Sequence, residues 1–170
     1  LMDTLSLADV LDLLKDGNPE AMRRYPLFQL IRIFRNVCLG VDYAHSRGVV
    51  HRDLKPENVR LGRFGEVQVA DWGLAKVEGS PDLAYEKALR NAASDGEVDE
   101  DELCIVIGSP NYMSPEQACG YNDKVGPGSD IYSLGCTLYE ILTLIPPQDD
   151  VDTMILLDKV EQEDVILPSL

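Results

Sequence analysis

The chain has 170 residues, of which 45% are hydrophobic and 26% charged, and a formal net charge of -15. It is long enough for one domain with a real core, and its composition is ordinary for a globular protein. It is too acidic to neutralise a phosphate backbone or to dock on anionic lipid, so neither nucleic acid nor membrane contact is expected.

Cys38, Cys104, Cys119 and Cys136 match no zinc spacing, and only two histidines are present. They read as buried, reduced thiols of a cytoplasmic protein, or of the cytoplasmic domain of a larger, membrane-anchored one. Asp3 and Asp9 interrupt the apolar start, so no secretory signal is read there. The most apolar stretch, Ile131 to Pro146, is too short for a bilayer and contains Glu140. It reads as a core helix.

In chain order, Leu7, Val10, Leu11 and Leu14 recur at helical spacing behind a candidate N-cap, Ser6, with Asp9 three residues on. Gly17, Asn18 and Pro19 end that helix. Pro26 opens the next one, in which Leu27, Leu30, Ile31, Phe34, Val37, Cys38 and Val41 continue to about Ser46, before Gly48. Val49-Val50 is a short strand. Val59 and Leu61, then Val67 and Val69, alternate on either side of a Gly62–Gly65 turn and predict a hairpin. It leads to Asp71-Trp72-Gly73, where Gly73 allows a sharp change of direction.

Ala84 to Ala93 has room for a helical turn or two, and residues 95–102 form a nearly solid acidic run, read as a solvated loop. Asn111 to Gln117 is irregular. Ser129 and Asp130 are expected to cap a helix carrying Ile131, Leu134, Leu138, Ile141 and Leu142, and a last helix is expected over Thr153 to Val160.

The chemistry concentrates in His51-Arg52-Asp53-Leu54-Lys55-Pro56-Glu57-Asn58. Asp53 and Asn58 share a loop, and Asp71 ends the hairpin that follows. A hairpin returns its end close to its start, so these oxygens can converge, with Lys55 adding a cation. Hard magnesium ions want a few such oxygens plus substrate phosphate. A carboxylate free of the metal can accept a hydroxyl proton, and a lysine can offset charge on a moving phosphoryl group. The set fits phosphoryl transfer to an alcohol.

The octapeptide resembles the catalytic loop of protein kinases, Asp71-Trp72-Gly73 resembles their D-F-G, and Ser114-Pro115-Glu116 their A-P-E. Residues 109–118 are especially similar to bacterial serine/threonine kinases of the eukaryotic type. The resemblance implies a mainly α fold with short β-hairpins, that of the kinase C-terminal lobe with the small lobe absent. Residues 1–170 would be a partial kinase domain running from near the hinge, with an activation segment over 71–116 that contains an acidic insertion.

It also implies roles. Asp53 would accept or orient the hydroxyl proton, and Lys55 would contact the transferring phosphate of ATP. Asn58 and Asp71 would hold Mg2+ and so bind the cofactor. Ser109 would bond to Asp53 and Lys55 where the acceptor side chain docks. Asp130 would hold the backbone amides around His51 and Arg52 from below. Glu116 would look for an arginine that the chain does not supply. A phosphate on the activation segment would be expected on Arg52; here, a carboxylate from Asp99, Glu100, Asp101 or Glu102 is expected to replace it. His51 and Trp72 are expected to be packing residues.

No G-x-G-x-x-G is present, and Lys15 is the only lysine before Lys55. The expected activity is therefore transfer of the ATP γ-phosphate to a serine or threonine of a protein substrate by a larger kinase of which this is a part. The rival reading is a kinase-like scaffold without chemistry, against which the intact Asp53, Asn58 and Asp71 weigh.

Overall fold

The computed structural model describes residues 5–94 and 106–147. The first helix, α1 (Leu7–Lys15), starts where the sequence says it should. The Ser6 hydroxyl accepts the Asp9 amide at 3.1 Å, and Asp9 Oδ2 accepts the Ser6 amide at 2.7 Å, so two orphan amides are satisfied reciprocally. Leu7, Val10 and Leu11 face inward. Gly17, at φ +70, reverses the chain. Asn18 then caps a short helix that the periodicity did not reveal, α2 (Pro19–Arg24), by accepting the Glu20 and Ala21 amides at 3.0 Å.

The long helix α3 (Leu27–His45) buries Leu30, Ile33, Val37 and Val41. Leu27 and Ile31, which also fit the period, are exposed; the buried stripe is rotated so that Ile33 replaces them. Ser6 belongs to a two-residue strand, β1 (Leu5–Ser6), which pairs with the hairpin β3 (Val59–Leu61) and β4 (Val67–Val69) in the order β1-β3-β4. Between them in sequence lies β2 (Val49–Val50), whose partner is β5 (Lys76–Val77). The expected hairpin is present; the two extra pairings are non-local and leave no alternation long enough to read.

Helix α4 (Leu83–Ser94) is longer than the turn or two expected of it. Pro110–Tyr112 forms a 3-10 turn, followed by the short α5 (Pro115–Ala118). The last described helix, α6 (Pro127–Thr143), begins earlier than predicted. Gly126 is its N-cap, and Ser129 reaches back to the Gly126 amide at 3.2 Å, leaving Asp130 inside the first turn and free to turn its carboxylate elsewhere. Only part of its predicted face is buried: Leu134 and Ile141 are, Ile131 and Leu142 are not, and Ser129, Ser133 and Thr137 fill the interior beside them. The expected helix at 153–160, the acidic run and Cys104 lie outside the described residues. Cys136 is buried, while Cys38 and Cys119 are half-buried.

The core joins α1, α3, the β1-β3-β4 sheet, Leu54 of the loop between β2 and β3, and Leu134 and Ile141 of α6. Among the described residues no helix is long and apolar enough to cross a membrane.

These burial patterns predict a contrast. Leu7 is fully buried and Phe28 is 66% exposed. Urea unfolding of the 170-residue chain, followed by Trp72 fluorescence, is expected to show Leu7→Ala losing about 2–5 kcal/mol and Phe28→Ala less than about 0.5 kcal/mol.

Candidate active site

The loop between β2 and β3 is pinned from below by one carboxylate. Asp130, with no exposed surface, accepts the His51 amide on Oδ2 at 2.8 Å and the Arg52 amide on Oδ1 at 2.9 Å. His45 Nε2, at the end of α3, lies 2.7 Å from the same Oδ2. Arg52 sits at φ +68, a conformation an L-residue holds only where its surroundings over-determine it. Its carbonyl accepts Gln117 Nε2 at 2.8 Å.

His51 is a packed core histidine, as its context implied. Its Nδ1 accepts the Asp53 amide at 3.2 Å and its Nε2 faces the Ala70 carbonyl at 3.0 Å, so the proton belongs on Nε2. Its ring packs against Trp72 at 4.5 Å between centroids, and the Trp72 indole N–H donates to Val69 O at 3.1 Å.

Above this base, Asp53, Lys55 and Ser109 meet. Lys55 Nζ donates to Ser109 Oγ at 2.5 Å, and Ser109 Oγ donates to Asp53 Oδ1 at 2.7 Å. Lys55 Nζ is also 3.4 Å from Asp53 Oδ2. One alcohol oxygen is thus held between a carboxylate and an ammonium. Asn58 donates from Nδ2 to the Asp53 carbonyl at 2.8 Å and to Asp53 Oδ2 at 3.1 Å. With that nitrogen committed, the amide oxygen is what Asn58 has to offer a cation. The Ala70 amide donates to the Asn58 carbonyl at 2.8 Å, which brings Asp71 beside it.

Asp71 itself is exposed and left-handed, at φ +60. The sharp change of direction expected at Gly73 is therefore made at Asp71. Gly73 matters sterically instead, because a Cβ there would come within 3.3 Å of Asp71 Oδ1.

Glu116 was expected to be left without a partner. Instead, its Oε1 accepts the Ser129 hydroxyl at 2.5 Å. Burial pushes its carboxyl up, but hydrogen bonds from Ser129, its own backbone and Ser114 outweigh this and hold it below the usual range.

The acids at 99–102 expected on Arg52 lie outside the described residues; among those described its partner is Asp82: NH1 and NH2 donate to Asp82 Oδ2 and Oδ1 at 2.6 and 2.7 Å, and Nε donates to Leu74 O at 2.6 Å. Asp82 also accepts the Tyr85 amide at 3.1 Å, at the start of α4. Burial alone would raise its carboxyl; the hydrogen bonds from Arg52 and Tyr85 and the charges of Arg52 and Lys76 reverse that and hold it low. The sequence did contain a signal for Asp82, an aspartate directly before a helical run. Nothing local marked His45, whose partner Asp130 is far away in sequence; Gln117 carried the local signature of a capping box, Ser114 followed three residues on by glutamine, but not its bond to the Arg52 carbonyl.

Beside the loop, Tyr112 donates its hydroxyl to Glu140 Oε2 at 2.6 Å. Burial pushes the Glu140 carboxyl above its ordinary value, and the charges of Glu57 and Asp12 act the same way, against the Tyr112 hydrogen bond and Lys15.

With this geometry in place, comparison with known proteins is direct. The model of the protein kinase domain family matches residues 1–167, and the chain belongs to that family. It is 43% identical over 122 residues to the serine/threonine-protein kinase PknD of Protochlamydia amoebophila, covering 71% of this chain and 12% of that protein. It is 38% identical over 146 residues to PknD of Chlamydia trachomatis serovar L2b, covering 81% and 15%. With PknB of Mycobacterium leprae it shares 38% over 122 residues, covering 72% and 17%. The chain thus spans well under a fifth of the length of these relatives.

Two outcomes are expected. A Cβ on Gly108, at φ +127, would sit 2.9 Å from the Arg52 carbonyl. Gly108→Ala should therefore cost about 1–3 kcal/mol in urea unfolding. For Glu140, the folded state binds the proton more tightly than the unfolded chain. Its contribution to stability should be full below its ordinary value of 4.5 and be lost as pH rises through the raised value. Glu140→Gln should flatten that decline in pH-dependent melting.

Proposed function

We propose that these residues form the large-lobe part, with the activation segment at 71–116, of a kinase that transfers the ATP γ-phosphate to serine or threonine hydroxyls of proteins. The observation that carries this is the Ser109 hydroxyl held by Asp53 Oδ1 and Lys55 Nζ at 2.7 and 2.5 Å. A carboxylate and an ammonium that grip one alcohol oxygen can do the same for an acceptor hydroxyl.

In the proposed reaction Asp53 accepts the hydroxyl proton as the oxygen attacks the γ-phosphorus. The bond from phosphorus to the bridging oxygen breaks, and ADP leaves. Lys55 offsets charge on the moving phosphoryl group. Asn58 keeps Asp53 oriented through its Nδ2 bonds. Its amide oxygen and the Asp71 carboxylate are an all-oxygen pair that fits magnesium, which is bound by few protein ligands plus phosphate. Bound there, magnesium neutralises phosphate charge. Ser109 lines the place where the acceptor docks, and Asp130 sets the loop on which everything else stands.

No G-x-G-x-x-G loop is among these residues, and Lys76 on β5 donates to the Asn122 and Val125 carbonyls, away from Asp53 and Lys55. We assign the other half of the phosphate clamp to residues outside them. The intact set of Asp53, Lys55, Asn58 and Asp71 favours this reading over a scaffold without chemistry, which has no need for it.

The test uses the natural-length polypeptide, ATP, magnesium and a serine/threonine peptide. Transfer should require magnesium, Asp53→Asn should lower kcat by at least about 100-fold, and Asp71→Asn should nearly abolish activity. The 170-residue chain alone should show little or no turnover. Robust turnover by that chain, or full activity in Asp53→Asn, overturns the proposal.

A further inference from the structure

Arg52 is the largest fully buried side chain among the described residues, with 1% of its surface exposed, and it directly precedes Asp53. A buried guanidinium needs a counter-charge and filled hydrogen bonds. Both prongs of its fork are taken by one carboxylate, Asp82, in the bidentate geometry that makes arginine–anion pairs strong and directional. The third edge is taken by the Leu74 carbonyl, just past the Asp71 turn. The Arg52 backbone is fixed separately by Asp130 and Gln117. Arg52 is therefore the joint between the loop carrying Asp53 and the segment carrying Asp71, and Asp82 closes it.

Asp82 is itself held. It accepts the Tyr85 amide at the start of α4. The chain leading to it is registered on the catalytic loop's entry strand through Val50↔Lys76 and Val49↔Val77, and the Glu78 amide donates to Gly48 O at 2.8 Å. The fork is thus occupied by a residue whose position is set from both sides.

Resting on the phosphoryl-transfer reading above, we propose that Asp82 is a positioning residue: a permanent carboxylate on Arg52 that does the work elsewhere done by an added phosphate, so that the site is set without phosphorylation of residues 72–108. An added phosphate orders a loop by giving a buried arginine an anion to clamp. Here that anion is encoded. Ser80, exposed and two residues upstream, would if phosphorylated bring a second anion to a fork already filled. It would compete with Asp82 rather than create a clamp.

The experiment takes the natural-length polypeptide, dephosphorylated and checked by mass, as wild type, Asp82→Asn, Asp82→Glu and, as a control acid whose ion pair among the described residues is with Arg90, Glu86→Gln. Dephosphorylation should change wild-type kcat by less than about 2-fold. Asp82→Asn should lower kcat by about 10- to 100-fold while KM for ATP moves less than about 3-fold, since a neutral amide loses the charge and one acceptor. Asp82→Glu should recover most of the loss, and Glu86→Gln should match wild type. Amide hydrogen exchange over 52–58 and 74–80 should accelerate in Asp82→Asn alone. The proposal is overturned if activity requires phosphate on Ser80, Tyr85 or Ser94. It is equally overturned if Asp82→Asn lowers only the melting temperature, with kcat and exchange over 52–58 unchanged. A wild type that transfers no phosphate under any condition overturns the kinase reading instead. That failure is recognised by exchange protection over 52–58 that still depends on Asp82.

Discussion

The site depends on one buried carboxylate accepting two consecutive backbone amides. Arg52 stands in a left-handed conformation that costs an L-residue roughly 1–3 kcal/mol. Asp130 offsets that cost by taking the His51 and Arg52 amides on its two oxygens at 2.8 and 2.9 Å. Without those bonds both amides would be buried donors with no acceptor, and the loop would relax toward an ordinary turn. The kink they stabilise turns Asp53 toward Lys55 and Ser109 and leaves the Arg52 side chain beneath, pointing at Leu74 and Asp82. The same arrangement explains why α6 buries polar side chains. Asp130 and Ser133 face inward because the segments they meet have amides and carbonyls to satisfy, Ser129 faces the Glu116 carboxylate, and the Thr137 hydroxyl is satisfied by Ser133 O of its own helix. Ser133 donates to the Tyr112 carbonyl at 2.7 Å, for example.

How far the sequence could be read follows from the range of the forces involved. The α1 capping box, the β3-β4 hairpin and the span of α3 are local, decided by residues three or four apart, and each was legible. The orientation of α3 was not, because Leu27, Ile31 and Ile33 all suit a helix and only the packed partners decide which of them is buried. The short β1 and β5 strands were invisible for the same reason: two residues carry no period, and their existence depends on a partner strand. In the site, the octapeptide and Asp71 were legible because their residue types are unusual together. The Glu116–Ser129 and Arg52–Asp82 pairs were not legible, since charge alone names a class of partner and not its identity. Asp82 follows the segment that β5 registers onto the loop it serves.

Electrostatics ties the site to its proposed substrate. On the proposed reading, Asp53 and Asp71 place two carboxylates near the phosphates, on a chain of net charge -15. Arg52 does not relieve this, because its charge is already matched by Asp82 in a buried pair. Lys55 faces Asp53 at 3.4 Å and is shared with Ser109, so it offsets roughly one of the two acids. On the proposed reading, a polyanionic nucleotide approaching this half of the site meets a net repulsive surface, and two unit charges about 4 Å apart near a protein surface interact by about 4 kcal/mol. Binding then requires positive charge that the described residues do not supply. A divalent cation held by Asp71 and the Asn58 amide oxygen would provide it, leaving Asp53 to serve as base. On that reading, the acidity that argues against a nucleic-acid partner would also make nucleotide binding at this site conditional on the metal.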